Sequence, residues 1–152
     1  MSTTTVIKRD GTTQAFERSK VQRRINTIVS NMSLDRVDVD DLTDTISRGM
    51  SSRIESTIID KEIARVSASF WHEPQYDRLA ATIFASMLQK QVGESFSEAI
   101  KRAHEHSYLG EPCPLVADKF WKVVKDNAKV LDAAVCPEND YRMTYFGLRT
   151  LT

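Results

Sequence analysis

Apolar and polar residues alternate at the start of the chain and then change to a helical spacing. Residues 5–11 predict a short strand that runs into an Asp-Gly turn. Residues 12–17 predict a returning strand with Phe16 as its apolar anchor. We therefore expect a β-hairpin at the N-terminus.

Helical spacing begins at Ser19, which suits an N-cap because Gln22 follows three residues later as in a capping box. Apolar residues then follow at intervals of four, three, one and three, which places them on one face of a helix. They are Val21, Ile25, Ile28, Val29 and Met32. This pattern predicts the first helix.

Three more helices are predicted before Gly93, which closes the last of them. Gly49 ends the second helix, and either Ser56 or Thr57 caps the third. Pro74 stops the third helix. The expected fold class is mainly α, a four-helix bundle capped by the small N-terminal β-hairpin and followed by further helices.

The chain divides into two predicted domains, 1–93 and 94–152. Ser95 and Glu98 form a second capping box at the start of the later segment, and helical spacing follows. The tail, 141–152, is aromatic and is predicted to be strand-like. Such an apolar end is expected to require a partner surface.

The composition excludes several classes of protein. With 152 residues, 41% hydrophobic content and 21 basic against 21 acidic residues, the chain is neither disordered nor a dedicated nucleic-acid binder. No apolar run approaches the roughly 18 residues of a membrane span, and no signal peptide is evident. We expect a cytoplasmic protein without membrane or nucleic-acid partners.

Cysteines and tryptophans offer little chemistry. Two cysteines cannot form a four-ligand zinc site, and both are expected to be reduced thiols. Cys113 is predicted to lie in a loop and Cys136 to be partly buried. Trp71 and Trp121 are predicted to be core residues because both lie in apolar helical stripes.

Charge is unevenly distributed. Residues 1–24 contain six basic side chains and two acidic ones, and an acidic stretch follows at 35–44. Lys8 and Arg9 point to opposite faces of the predicted strand, while Lys20 lies at the start of a helix, where backbone N–H groups favour anions. Two interpretations stay open from charge alone, a clamp for a polyphosphate or a solvated basic hairpin.

The same residues form a recognisable pattern. The segment VIKRDG at 6–11, then Phe16 and Lys20-Val21, resembles the start of the ATP-cone domain. The sequence around 74–90 resembles the fourth-helix region of that domain. NDYRMTYFGLRTL, at 139–151, is similar to the region that precedes the catalytic barrel in class I ribonucleotide reductase large subunits.

The resemblance implies an allosteric site for ATP or dATP, with Mg²⁺ on the phosphates and no metal ligands from the chain. ATP would favour the active enzyme, and dATP would shift large subunits into inhibited oligomers. Lys8, Arg9, Lys20 and Lys90 would lie at the phosphates, and 14–20 would line ribose and base. The full set of implied nucleotide-binding residues is Lys8, Arg9, Gln14, Phe16, Ser19, Lys20, Val21, Ser52, Ser56 and Lys90.

Four positions depart from the family pattern. Relatives usually have Glu at the position of Gln14, and they often have Asp or His at the position of Ser56. In the family both positions lie near the sugar. A carboxylate accepts hydrogen bonds from ribose hydroxyls with charge assistance, whereas Gln accepts them through a neutral oxygen. Thr82 and Asn139 each replace an Arg of the pattern. We expect a cone whose response to dATP is altered or weakened.

The resemblance places no catalytic residue within these 152 residues, because the family's radical cysteine and reducing cysteine pair lie in the barrel beyond 94–152. The implied partners are the remainder of the large subunit, other large subunits and the small radical-generating subunit. The alternative is a degenerate cone that acts only as a docking module. A stand-alone transcription regulator of the family would require a zinc ribbon, which two cysteines cannot build.

Overall fold

A computed structural model describes residues 4–8, 10–93 and 95–152. The chain forms two compact units. The first comprises Met1–Leu88 together with Asp140–Thr152, and the second comprises Gln89–Asn139. Each unit is described separately below.

A small sheet lies at the N-terminal end of the first unit. Strand β1 (Thr5–Ile7) pairs antiparallel with β2 (Thr13–Ala15), which confirms the predicted hairpin. The turn is held by Asp10, whose Oδ1 accepts hydrogen bonds from the backbone N–H of Thr12 at 2.9 Å and from its hydroxyl at 2.6 Å. These bonds lower the pKa of Asp10 and favour its charged form.

Strand β3 (Arg53–Glu55) pairs in parallel with the other edge of β1, so the strand order is β2–β1–β3. The sequence analysis missed this strand. It has three residues, and only its central Ile54 is buried, so it shows no alternating pattern long enough to recognise.

The four helices predicted before Gly93 are present in the structure. They are α1 (Arg18–Met32), α2 (Val39–Arg48), α3 (Ser56–Ser69) and α4 (Pro74–Val92). The largest fully buried side chains of this unit are Ile25, Leu42, Thr43, Ile46, Ile63, Ser67, Leu79 and Ile83. The buried hydroxyls of Thr43 and Ser67 donate to backbone carbonyls one turn earlier, so their polar atoms are paired.

Two predicted helix starts were wrong. Ser19 lies inside the first turn of α1, and Glu17 occupies its N-cap position. Ser56 is the first residue of α3, whose N-cap is Glu55. In both places a strand leads almost directly into a helix, so the extended backbone at the end of the strand also serves as the helix entrance. Pro74 is the first residue of α4, a position where its fixed φ is favourable.

Asp38 caps α2, because its Oδ1 accepts a hydrogen bond from the backbone N–H of Asp41 at 2.9 Å. We expect Asp38→Ala to lower the free energy of unfolding by about 1 kcal/mol, since a backbone donor loses its acceptor. Asp38→Asn is the matched control, because Asn caps equally well. Urea unfolding measures both variants, and equal losses would contradict a capping role.

The second unit contains short helices and a small hairpin. Its elements are α5 (Phe96–His104), β4 (Ser107–Tyr108), β5 (Glu111–Pro112), α6 (Asp118–Asp126) and α7 (Ala128–Ala134). Ser95 caps α5 as predicted, because its hydroxyl accepts from the N–H of Glu98 at 3.3 Å. His104 Nε2 lies 2.8 Å from Asp118 Oδ1, and its ring stacks on Trp121. Val124 of α6 is buried.

Asp132 of α7 forms hydrogen bonds with the start of α5. Its carboxylate accepts from the Ser97 backbone N–H at 2.8 Å and from the Ser97 hydroxyl at 2.7 Å, and these bonds lower the pKa of Asp132. A lowered pKa in the folded state stabilises the fold above the ordinary carboxyl pKa of about 4, and that contribution is lost as pH falls through the lowered value.

We therefore expect NMR titration of the Asp132 carboxyl carbon to give a midpoint below the ordinary value for Asp. In Ser97→Ala the midpoint should move upward, because the hydroxyl bond is absent while the backbone bond remains. An ordinary midpoint in the unaltered protein would contradict the prediction.

The tail after Asp140 is helical, so the predicted strand was wrong. A 3₁₀ helix spans Pro137–Arg142, and α8 spans Tyr145–Thr150. The hydroxyl of Thr144 accepts a hydrogen bond from the N–H of Gly147 at 3.1 Å and so caps α8. Threonine is a common N-cap residue, but the aromatic residues of the tail favoured the prediction of a strand. Leu148 joins the core of the first unit, and Tyr145 meets Phe84 edge to face.

Two burial predictions were also wrong. Trp71 is 87% exposed, because α3 ends at Ser69 and the residue lies in the connection to α4. Cys136 is exposed, as is Cys113, because it follows the end of α7. Trp121 is half-buried.

The division between domains at 93 and 94 stays a prediction. In the part of the chain that the structure describes, no helix has the length and apolarity needed to cross a membrane.

Candidate functional site

Lys20 and Gln14 meet where β2 leads into α1. Gln14 lies opposite Val6 in the sheet, and its Oε1 accepts a hydrogen bond from Lys20 Nζ at 3.4 Å. Lys20 Nζ also lies 2.8 Å from Glu17 Oε1. Lys20 is therefore held in the first turn of α1, where the helix dipole adds positive potential.

Lys8 follows directly after β1 and anchors the turn, because its N–H donates to Thr12 O at 2.8 Å. Its side chain lines a groove of about 230 Å³ beside the sheet. The other lining residues are Ile7, Gly11, Glu55, Ser56 and Thr57. The parallel pairing of β3 with β1 brings the start of α3 to Lys8.

A larger groove of about 670 Å³ separates α1 from α4. Lys20 lies in it, so the groove includes one predicted phosphate ligand. Its walls are formed by Lys20, Arg23, Arg24, Thr27, Ile28, Asn31 and Met32 of α1, Thr82 and Ser86 of α4, and Tyr141 of the tail.

Acidic residues of α2 and α3 neutralise part of the positive charge of α1. Arg18 Nε donates to Asp44 Oδ1 at 2.7 Å, and this bond raises the pKa of Arg18. Arg24 Nε lies 2.9 Å from Asp60 Oδ1, and its Nη2 donates to Asp60 Oδ2 at 3.3 Å. Arg23 is exposed and has no ion-pair partner among the residues that the structure describes.

The structure brings some of the predicted site residues together and separates others. Lys8, Gln14, Lys20 and Ser56 lie around the sheet and the first turns of α1 and α3. Val21 is buried in the core of the first unit, and Phe16 packs against that core. Their predicted contact with a base stays a prediction, since the core accounts for their burial.

The remaining predicted residues lie elsewhere or are not described. Ser19 is exposed in the first turn of α1, and Ser52 is exposed before β3, where its carbonyl accepts from Thr5 N–H at 2.9 Å. Lys90 lies in the last turn of α4, within the second unit. Arg9 lies outside the described residues. The roles predicted for all four stay predictions.

Several residues of the larger groove were not singled out as ligands by the sequence analysis. They are Arg23, Arg24, Thr27, Asn31, Thr82 and Ser86. The signal on α1 was present, since Lys20, Arg24, Thr27 and Asn31 recur at helical spacing beside the buried stripe. The opposite wall comes from α4 and the tail, and no local pattern connects these segments to α1.

The model of the ATP cone domain matches residues 4–91. The chain belongs to the ATP-cone family. This match contains the sheet, the helices α1–α3 and nearly all of α4. The resemblance seen in the hairpin and fourth-helix motifs is thereby confirmed, and so is the expected mainly helical fold with a small N-terminal sheet.

The ATP cone and the residues after it also match the N-terminal region of ribonucleoside-diphosphate reductase large subunits. The Caenorhabditis elegans large subunit is 32% identical over 99% of this chain and 19% of its own length. Large chain 2 of Saccharomyces cerevisiae is 31% identical, and the Arabidopsis thaliana large subunit is 30% identical, each over 96% of this chain. The chain spans about a fifth of the length of these relatives.

Proposed function

We propose that this ATP cone is an allosteric regulatory part of a ribonucleoside-diphosphate reductase large subunit. It would bind ATP or dATP and so control the overall activity and the oligomeric state of an enzyme that makes deoxyribonucleotides. The observation that carries the proposal is the family match over 4–91, within which Lys8 lies at the turn of the hairpin and Lys20 lies in the helix that follows its second strand.

In this proposal the nucleotide lies between the sheet and a four-helix bundle of α1–α4. Lys20 binds phosphate oxygens in the first turn of a 15-residue helix, where the charge of the side chain and the helix dipole act together. Lys8 adds a second cation, and the neutral amide of Gln14, which is hydrogen-bonded to Lys20, would contact the sugar. Ser19, Ser52 and Ser56 complete the proposed contacts within the first unit, and the roles implied for Arg9 and Lys90 stay predictions.

Mg²⁺ would enter this site with the nucleotide. Within the described ranges, no group of three or more His, Cys, Asp or Glu side chains is arranged to hold a metal ion. The residues proposed for phosphate contact are cations, which repel Mg²⁺. Phosphate oxygens are the natural ligands for this ion, so the chain contributes charge to the nucleotide rather than donors to the metal.

Thermal melting tests the proposal. A nucleotide at about 100 times its dissociation constant stabilises the protein that binds it by about 2.7 kcal/mol. We expect ATP with Mg²⁺ to raise the melting temperature of the full chain, while the same concentration of inorganic phosphate with Mg²⁺ serves as the control. An unchanged melting temperature at millimolar ATP would overturn nucleotide binding.

Discrimination between ATP and dATP should be weak. The two nucleotides differ by one ribose hydroxyl, and both Gln14 and Ser56 are uncharged, so neither offers that hydroxyl a charge-assisted acceptor. We expect titration calorimetry to give dissociation constants that differ by less than about tenfold, since one neutral hydrogen bond contributes only about 0.5–1.5 kcal/mol. Tight binding selective for dATP would contradict this expectation.

A second candidate function is a docking module without nucleotide binding. Large apolar side chains are exposed on the second unit, as expected of a surface that a larger protein covers. They include Leu115, Phe120, Val123, Val130 and Val135. The proposed partners in either case are the remainder of the large subunit, other large subunits and the small radical-generating subunit, in the cytoplasm. The melting experiment with ATP separates the two functions.

A further inference from the structure

A groove of about 370 Å³ lies between α3 and α8, within the first unit. We call it the α3–α8 groove, and its described lining shares no residue with the proposed nucleotide contacts. Helices α3, α4 and α8 all contribute to it. The charged and aromatic side chains that line it are Lys61, Glu62, Arg65, Phe84, Tyr145 and Arg149.

Positive charge predominates in the α3–α8 groove, because three basic side chains and one carboxylate are present among its described lining residues. Lys61 of α3 and Arg149 of α8 are both exposed. Within the described part of the chain, neither of these two side chains forms an ion pair. Both cations are therefore available to an anion that enters the groove.

Arg65, the third cation, is held in place by Glu62. Its Nε and Nη2 donate to Glu62 Oε2 at 2.9 and 2.6 Å, and its side chain is 60% exposed. A guanidinium has five N–H donors, so this pair leaves donors of Arg65 for a second carboxylate. Glu62 thus positions the guanidinium without exhausting it.

Two aromatic rings give the α3–α8 groove an apolar part. Phe84 is buried and Tyr145 is half-buried, and their rings meet edge to face with centroids 5.4 Å apart. Leu148 anchors α8 in the core of the first unit. Opposite charges attract more strongly beside apolar groups than in open water, because the effective dielectric constant is lower there.

The spacing of the cations suits an extended chain. Lys61 and Arg65 are four residues apart on α3, which places their Cβ atoms about 5–6 Å apart on one face. In an extended peptide, side chains two residues apart point the same way and lie about 6–7 Å apart. This row of cations therefore matches carboxylates in series better than it matches one compact anion.

We propose that the α3–α8 groove binds an extended acidic segment of a partner protein. Lys61 and Arg65 bind the carboxylates of two residues that are two positions apart, and Arg149 binds the carboxylate of the residue between them. The whole chain has a net charge of zero, so the attraction arises from this local cluster. The site does not depend on the proposed nucleotide function.

Titration calorimetry on the full chain tests this proposal with the peptide acetyl-Glu-Glu-Glu-Glu-Glu-amide. The same peptide with glutamine at every position should bind at least about tenfold more weakly, because it keeps the shape but has no charge to pair. Tricarballylate is the compact control, since it carries three carboxylates on a short carbon chain. It should also bind at least about tenfold more weakly than the glutamate peptide.

Charge reversal locates the site. Arg149→Glu should weaken the glutamate peptide by at least about tenfold, since attraction at this position becomes repulsion. Arg142→Glu is the matched control, because it makes the same change of charge in the 3₁₀ helix of the tail and Arg142 does not line the groove. Thermal melting establishes that both variants are folded.

Four results would overturn the proposal. They are no binding of the glutamate peptide at millimolar concentration, equal binding of the glutamine peptide, equal binding of tricarballylate, and equal affinities of Arg149→Glu and Arg142→Glu. Competition with ATP separates this site from the nucleotide site. Peptide binding should persist with ATP in excess, whether or not ATP itself binds, and one-to-one displacement by ATP would overturn a separate site.

Discussion

Replacement of Lys20 by methionine is expected to weaken the binding of ATP by about 10- to 100-fold, because a charged hydrogen bond contributes about 1.5–3 kcal/mol. Lys20 lies in the first turn of α1, and Glu17 and Gln14 hold its ammonium group at the base of the hairpin. Methionine keeps most of the length of the side chain but removes the charge. Glu17 is then left near the phosphates without its partner, which adds repulsion to the lost attraction.

Lys61→Met is the matched control for this experiment. Lys61 lies on the exposed side of α3 and lines neither groove that contains a predicted phosphate ligand. Titration calorimetry with ATP and Mg²⁺ should show that Lys61→Met binds ATP with the same affinity as the unaltered protein. Equal affinities for both variants and the unaltered chain would contradict a role for Lys20 in phosphate binding.

Leu148→Ala is expected to lower the free energy of unfolding by about 2–5 kcal/mol, the usual range for removing a buried leucine side chain. Leu148 is 5% exposed and belongs to the same hydrophobic cluster as the helices of the ATP cone. The loss arises from the apolar area that returns to water and from the cavity that remains. It tests whether the tail is a structural part of the first unit.

Phe146 provides the control on the same helix. Its side chain is 77% exposed, so Phe146→Ala should change the free energy of unfolding by no more than about 0.5 kcal/mol. Denaturant unfolding compares the two variants under identical conditions. A loss in Leu148→Ala no larger than that in Phe146→Ala would show that the tail adds nothing to the stability of the first unit.

The long helices could be predicted because their apolar residues recur over several turns. Val21 and Ile25 on α1, and Leu42 and Ile46 on α2, lie in the core as their spacing indicated. Short elements could not be predicted in this way. The strand around Ile54 is defined by its pairing with β1, some 48 residues earlier in the sequence, and no local pattern reports that contact.

The candidate site could be predicted where the family motif is continuous in the sequence. Gln14 and Lys20 are hydrogen-bonded in the structure, and Lys8 lies at the turn of the same hairpin, while their roles toward a nucleotide stay predictions. The groove between α1 and α4 could not be predicted. Its walls come from three segments that are distant in the sequence, namely α1, α4 and the tail.

The parallel pairing of β3 with β1 has a consequence for the order of folding. Thr5 aligns with Arg53 in the sheet. In the sequence α1 and α2 come between these two strands, which must nevertheless become neighbours in the fold. Contacts between such distant residues form slowly, because a long loop must close first. The β1–β2 hairpin alone is too small to be stable in water. We therefore expect the sheet to be completed only after those helices have packed, so that the proposed nucleotide site would exist only in a fully folded ATP cone.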